Sequence, residues 1–325
     1  MKAFVYEYGQ LTLKDMPVPE VDKGEVLVSL RVAGLNRRDT AIPNRLGDNE
    51  EAIILGSDGA GVIEAVGENV QQVKVGDEVI INPSLRWEHN SDAPPESFDI
   101  LGMPDHGTIA EKVVISEQQV EKKPAYLSWK EAGVLALASL TGYRALFTKG
   151  KLKKGDTIFI PGAGSGVATY IIQFAKAKGA RVIVTSRSEA KRKQALQIGA
   201  DRAIDTASDW EKELQDEIVD LVIDSVGRAT FNRSLQVLKR GGRMVVFGAT
   251  TEDTVDFNIR EFFYGQYQLF GSTMGSREEL RELLTFMEEN EIHPVVGHAF
   301  SFDDVHEAFD FLRENKQFGK IVIEI

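Results

Sequence analysis

Residues 157–186 read TIFIPGAGSGVATYIIQFAKAKGARVIVTS, and few arrangements accommodate that order. A short apolar run meets a turn with Gly162, Gly164 and Gly166. There follows a stretch whose Val167, Tyr170, Ile171, Phe174 and Ala175 repeat every 3.6 residues up to Gly179, and then a second apolar run. Apolar runs of strand length on either side of an amphipathic helix form a parallel strand–helix–strand unit, with helices covering the sheet. The alternation continues through a helix at 189–198 closed by Gly199, the strand DLVIDSVG, a helix near 231–239 and the strand RMVVFG. From about residue 128 the sequence therefore predicts a doubly wound α/β sheet.

The preceding part has a different texture. EVLVSLRVAG alternates from Val26 and GTIAEKVVI from Ile109, as half-buried antiparallel strands do, with turns at 22–24, 67–69 and 76–77. Residues 1–122 thus read as a small β-barrel. Residues 82–108 carry Pro83, Pro94, Pro95 and Pro104 with no clear period, and loops of that length are commonly functional. The last stretch reads as a strand at HAFSF, a helix at 303–313 and a terminal strand GKIVIEI.

Composition removes several classes of function. A net charge of −12 lacks the basic footprint of a nucleic-acid binder, and no apolar run approaches a membrane span. The absence of cysteine excludes disulfides and thiolate metal sites. Together with an N-terminus that lacks a secretory pattern, it predicts a cytoplasmic location.

The glycine turn is where a dinucleotide pyrophosphate would meet a helix N-terminus. Gly162, Gly164 and Gly166 admit close backbone approach, and Ser165 and Val167 belong to the first helical turn. The second strand ends at Ser186-Arg187, where an NAD site usually has an acid for the ribose 2′-hydroxyl. Arg187, Lys191 and Arg192 stand there instead, which predicts NADPH. Ser186 and Glu189 also have capping-box spacing, so the same residues serve equally as a helix start.

Gly56, Gly61, Gly67, Val70, Gly76-Asp77 and Val79, with GLNRRDT from Gly34, LASLTGYRAL from Leu137 and FGKIVI from Phe318, resemble the medium-chain dehydrogenase/reductase superfamily. The likeness is greatest to its zinc-lacking, quinone oxidoreductase-like branch. It implies a GroES-like barrel split around a Rossmann domain, expected here as residues 1–125, 126–265 and 266–325. The last segment would hold the final Rossmann strand and helix before returning to the catalytic domain. Where zinc relatives place their ligands, this chain has Asn36, Ser57 and Leu137. Carboxamide, hydroxyl and alkyl groups do not make a Zn²⁺ site. His89 and His106 sit among acids in the long loop but lack ligand spacing.

The resemblance implies further roles. Asn36 would stand beside the nicotinamide as the donor to the reacting oxygen, or be only a turn residue. Thr141 would hold the nicotinamide carboxamide, or cap a helix. Ser225, Phe247, Gly248, Gly271, Ser272 and Lys320 would be cofactor contacts, and Trp87 would line the acceptor pocket or anchor its loop. The implied reaction is hydride transfer from NADPH to a quinone or an enone, with an enoyl-thioester reductase or a non-catalytic NADPH sensor as alternatives. A homodimer joined through the Rossmann sheet edge at 261–274 is also implied.

Overall fold

The computed structural model describes residues 1–48 and 50–325, which form two compact units, 1–138 with 275–325 and 139–274. The fold class is α/β, as the sequence predicts.

The second unit is a six-stranded parallel sheet. In spatial order its strands are Arg202–Ile204, Arg181–Thr185, Thr157–Ile160, Val219–Asp224, Leu238–Val246 and Gln268–Gly271. TIFI is buried at every position and RVIVT at all but its first, which is why both read as continuous rather than alternating apolar runs. From Thr157–Ile160 the chain winds outward to one side of the sheet, then returns to build the other side from Val219–Asp224. The strand order therefore reverses between these two strands, and open α/β sheets bind ligands at the carboxyl ends of such a reversal. The helix predicted near 231–239 runs over Arg228–Val237, because the next strand already begins at Leu238.

The first unit carries a seven-stranded sheet centred on Glu25–Leu35, which pairs with Asp58–Val66, Lys112–Ser116 and the C-terminal Lys320–Glu324, all antiparallel. A three-stranded sheet is built around Lys2–Glu7. The terminal strand thus pairs with a strand of the N-terminal part.

The unit boundaries differ from the expected ones. The first falls inside helix Ala136–Tyr143 rather than near 125. Helix Arg277–Glu289, expected with the parallel sheet, groups with the first unit. Its Arg277 is 5 % exposed and bonds Glu121, Gln118, Gln72 and the Val120 carbonyl, so its polar contacts tie it to that unit.

Loop 82–108 is firmly built. Ser84–Leu85 pairs with Asp99–Ile100, and the Arg86 guanidinium holds Asp99, Asp105 and the Ser97 carbonyl. Trp87 is 1 % exposed and packs edge-on against Phe98, which makes it an anchor of the loop. Gly107 closes against residue 56 so tightly that an added Cβ would lie 2.0 Å from the Gly56 carbonyl oxygen.

Candidate active site

Register places the central polar cluster of the first unit. Gly34 lies opposite Asp58, and Leu35 opposite Ile321, so Asn36, Asp58 and Lys320 meet at one end of three adjacent strands. Gly34 is required there, since a Cβ would come within 2.5 Å of the Gly133 carbonyl oxygen and 2.9 Å of the Asp58 Cβ.

All three side chains are buried, with Lys320 3 %, Asp58 0 % and Asn36 7 % exposed. Lys320 Nζ donates to the Leu35 carbonyl at 2.9 Å, to Asp58 Oδ2 at 3.0 Å and to Asn36 Oδ1. Asn36 Nδ2 donates to Asp58 Oδ2 at 3.0 Å, and the Leu137 N–H donates to Asp58 Oδ1 at 2.7 Å. An ammonium has three donors, and Lys320 uses all of them. The charged neighbours also decide which way the Asn36 amide faces, because the reverse orientation would set an NH₂ against an ammonium.

The positions that hold zinc in zinc-binding relatives do not fit that metal here. Ser57 Oγ accepts from Arg38 at 2.6 Å and donates to the Leu101 carbonyl at 2.7 Å. Asn36 is engaged by Lys320 and Asp58, and Leu137 offers only an alkyl side chain. Lys320 puts a positive charge within hydrogen-bond distance of the oxygens nearest that frame, and a dication would be repelled by it. Among the described residues, no group of three or more His, Cys, Asp or Glu is placed to hold a metal ion. His89 bonds Glu278 at 2.8 Å and His106 accepts from the Ile54 N–H at 3.3 Å, so the loop histidines are engaged separately.

Asn36 makes its side-chain bonds across the sheet, while the local turn is closed by Asp39, whose Oδ2 accepts the Asn36 N–H at 2.7 Å. Asp39 is fully buried, and its Oδ1 lacks a hydrogen-bond partner, with Arg38 4.0 Å away. Burial raises its carboxyl to about 6 despite the arginine. Burial also lowers the Arg38 guanidinium below its ordinary value. Thr141 lies inside helix Ala136–Tyr143, which removes the reading as a helix-start cap.

In the second unit the glycine turn, Ser186, Ser225, Phe247 and Ser272 lie past the carboxyl ends of five strands of the sheet. Gly162 takes φ +85°, and Ser165 caps helix Gly166–Ala177 by accepting from the Ala168 N–H. Among the described residues, the N–H groups of Gly164, Ser165, Gly166 and Val167 make no hydrogen bond, which is the donor array an anion would use. Lys191 lies over the turn, its Cδ 2.8 Å from where a Gly164 Cβ would be. Ser225, Phe247 with Gly248, and Ser272 follow three adjacent strands, the last of which ends at Gly271. These features fit a bound dinucleotide.

At the end of Arg181–Thr185 the three cations separate. Arg192 bonds the Ser186 carbonyl at 2.6 Å and Asp205 at 2.9 Å. Arg187 is exposed and, among the described residues, makes no hydrogen bond or ion pair. Ser186 Oγ accepts from the Ser188 N–H, while Ser188 is the helix cap. The expected Ser186–Glu189 capping box is thus not formed, and the cap lies two residues later, at Ser188, which accepts from the Lys191 N–H.

Sequence reasoning missed Asp58 and Asp224. Asp224 is fully buried, accepts from the Val226 and Gly227 N–H groups and from the Thr230 and Ser234 hydroxyls, and so fixes the turn after its strand. In both cases a lone acid inside an apolar run was the available signal.

Residues 22–125 match the alcohol dehydrogenase GroES-like domain, and residues 166–289 the zinc-binding dehydrogenase family. The chain is 32% identical to a 2-methylene-furan-3-one reductase of Solanum lycopersicum, over 99% of this chain and 79% of that one. It is 27% identical to a quinone oxidoreductase of Homo sapiens, over 98% and 96%. A solved structure of an NAD-dependent alcohol dehydrogenase superposes with a TM-score of 0.94 at 36% identity, covering 100% of both chains. The fold and the site define a two-unit nicotinamide oxidoreductase. The chain belongs to the medium-chain dehydrogenase/reductase superfamily.

Two outcomes follow from the first unit. Elemental analysis of the purified protein should find far less than one zinc per chain, and a chelator should leave its thermal unfolding unchanged. One tightly held zinc per chain would overturn the donor-set argument. Asp39 sets a pH dependence. Between its ordinary value of 3.8 and about 6, the folded chain retains a proton that the unfolded chain has released. Its contribution to stability is therefore full below the lower value and is lost as pH rises through the upper one. Asp39→Asn, neutral throughout, should gain stability relative to the parent between pH 4 and 7, on the order of 3 kcal/mol. Urea unfolding of both proteins across that range measures it, and a constant difference would contradict it.

Proposed function

We propose that this protein is a cytoplasmic NADPH-dependent reductase that passes hydride to a quinone or to the β-carbon of an α,β-unsaturated carbonyl without a catalytic metal. The observation that carries this reading is the donor set at Asn36, Ser57 and Leu137, which has no Lewis acid to offer an alcohol. Similarity to a quinone oxidoreductase and a 2-methylene-furan-3-one reductase supports it.

The glycine turn, Ser225, Phe247, Gly248, Gly271 and Ser272 would hold the cofactor, with Thr141 on its carboxamide, and the bound cofactor supplies the hydride. Acceptors of this kind are already electron-poor, so the chain's task is to orient them and to steady one oxygen as it gains charge. Asn36 performs the second task. One Nδ2 hydrogen is taken by Asp58, and the other has no partner among the described residues. That hydrogen is donated to the acceptor oxygen, which afterwards takes its proton from solvent.

Cofactor choice is read from Arg187, since the relatives include an NAD-dependent enzyme. Its unspent guanidinium offers two parallel N–H bonds to a 2′-phosphate. Removing it should weaken NADPH by roughly 10- to 100-fold while sparing NADH. Ser186→Asp should go further by repelling the phosphate and accepting from a free 2′-hydroxyl. The test compares kcat/KM for NADPH and NADH in wild type, Arg187→Ala and Ser186→Asp, with 1,2-naphthoquinone, trans-2-hexenal and crotonyl-CoA as acceptors. Preference for NADH in wild type, or an unchanged preference in Arg187→Ala, would overturn the cofactor assignment. Turnover with the thioester alone would move the substrate class, and cofactor binding without any turnover would favour a sensor.

The same reading includes a homodimer. Gln268–Gly271 is the edge strand of its sheet, and Phe257, Ile259, Phe263, Tyr264 and Leu269 are each 39 % or more exposed around it. An open apolar edge favours pairing with a second copy. Light scattering at micromolar concentration should give twice the 36.0 kDa chain mass. Leu269→Lys should shift it toward monomer, and a monomeric wild type would refute the dimer.

A further inference from the structure

We propose that Lys320 and Asp58 are positioning residues that lock and polarise the Asn36 amide. The inference rests on the reading of Asn36 as the oxygen donor and assigns a device behind it. It also moves Lys320 away from the cofactor contact implied by resemblance.

An unrestrained carboxamide rotates about its last torsion and presents either oxygen or nitrogen to a ligand. Here Lys320 meets Oδ1 and Asp58 meets Nδ2, so the flip that would turn the amide oxygen toward a substrate oxygen is closed off. A cation on the amide oxygen draws electron density from the amide and makes its remaining N–H a stronger donor. The ammonium has no N–H left for a phosphate or a substrate, because the Leu35 carbonyl takes the third. Asp58 completes the lock by accepting from Leu137, Asn36 and Lys320 at once, which balances the buried charge. The effect of the cation on the reaction therefore passes through Asn36.

The test uses the full chain. Removing one charge alone would strand the other, so the main variant is Lys320→Met with Asp58→Asn, and Lys320→Gln with Asp58→Asn serves if that protein does not fold. With NADPH and 1,2-naphthoquinone, the paired variant should lose 10- to 100-fold in kcat while KM for NADPH stays within about twofold. In an Asn36→Ala background the same change should alter kcat less than twofold, since the route through the amide is already gone. Independent of turnover, asparagine-selective ¹⁵N labelling identifies the Asn36 amide by its absence in Asn36→Ala. One of its two protons should exchange with solvent at least 10-fold more slowly than the other, and that difference should vanish in either paired variant.

A rise in KM for NADPH with kcat intact would return Lys320 to the cofactor. Losses that multiply with Asn36→Ala, or equal exchange of both amide protons in wild type, would also overturn the lock. If Asn36→Ala itself turns over normally, the donor reading fails, whereas a slow Asn36→Ala beside a fast paired variant refutes only the lock.

Discussion

The first unit depends on a buried ion pair between residues 262 positions apart, Lys320 and Asp58. Taking two charges out of water costs several kcal/mol each unless geometry and further hydrogen bonds offset it. Here both are saturated: the ammonium has three acceptors, and the carboxylate accepts from two side chains and one backbone N–H. That saturation is possible only with strands 25–35, 58–66 and 320–324 in register and helix 136–143 starting where it does. The polar cluster therefore specifies the sheet as much as the sheet positions the cluster. A slip of one residue would turn these side chains to the other face and leave a charge buried without a partner.

The second unit reaches its site by a different route. Its donors are mostly backbone groups at the ends of strands, and their placement follows from winding order rather than from particular side chains. Asp224 shows how little side-chain chemistry this needs. One carboxylate bonded to two N–H groups and two hydroxyls fixes the turn that carries Ser225 and Gly227. Arg187 is the exception, a guanidinium exposed at the end of its strand and, among the described residues, unspent on the fold.

This contrast explains what the sequence discloses. The parallel unit is legible because strand, glycine turn and helix are local patterns, and the helix at Gly166–Ala177 lies within one residue of its periodicity. Arg192 shows the limit: it stands five residues from Arg187, yet the fold spends it on Asp205 and the Ser186 carbonyl. The cluster around Asn36 is not local at all. Ser57-Asp58 reads as an absence, a missing metal ligand, until tertiary contact brings Lys320 to it. The physical signal lay in two isolated charges, Asp58 within LGSDGAG and Lys320 before IVIEI, each inside apolar surroundings that demand a partner.

A buried ammonium and a metal ion do different things to a substrate oxygen. A zinc ion with an open position binds a substrate oxygen directly and polarises it. The Lys320 ammonium, with every N–H committed, binds no substrate and acts only on the groups that hold it. In the proposed lock its charge would reach the reaction through one carboxamide, at the strength of a hydrogen bond rather than of coordination. An alcohol needs its proton removed before hydride leaves, and a carboxamide N–H is no base that could take it. A quinone or an enone gains negative charge on oxygen as hydride arrives, which the same donor favours. Under the proposed role of Asn36, the frame thus suits acceptors whose oxygen gains negative charge in the transition state and which need no base at this position.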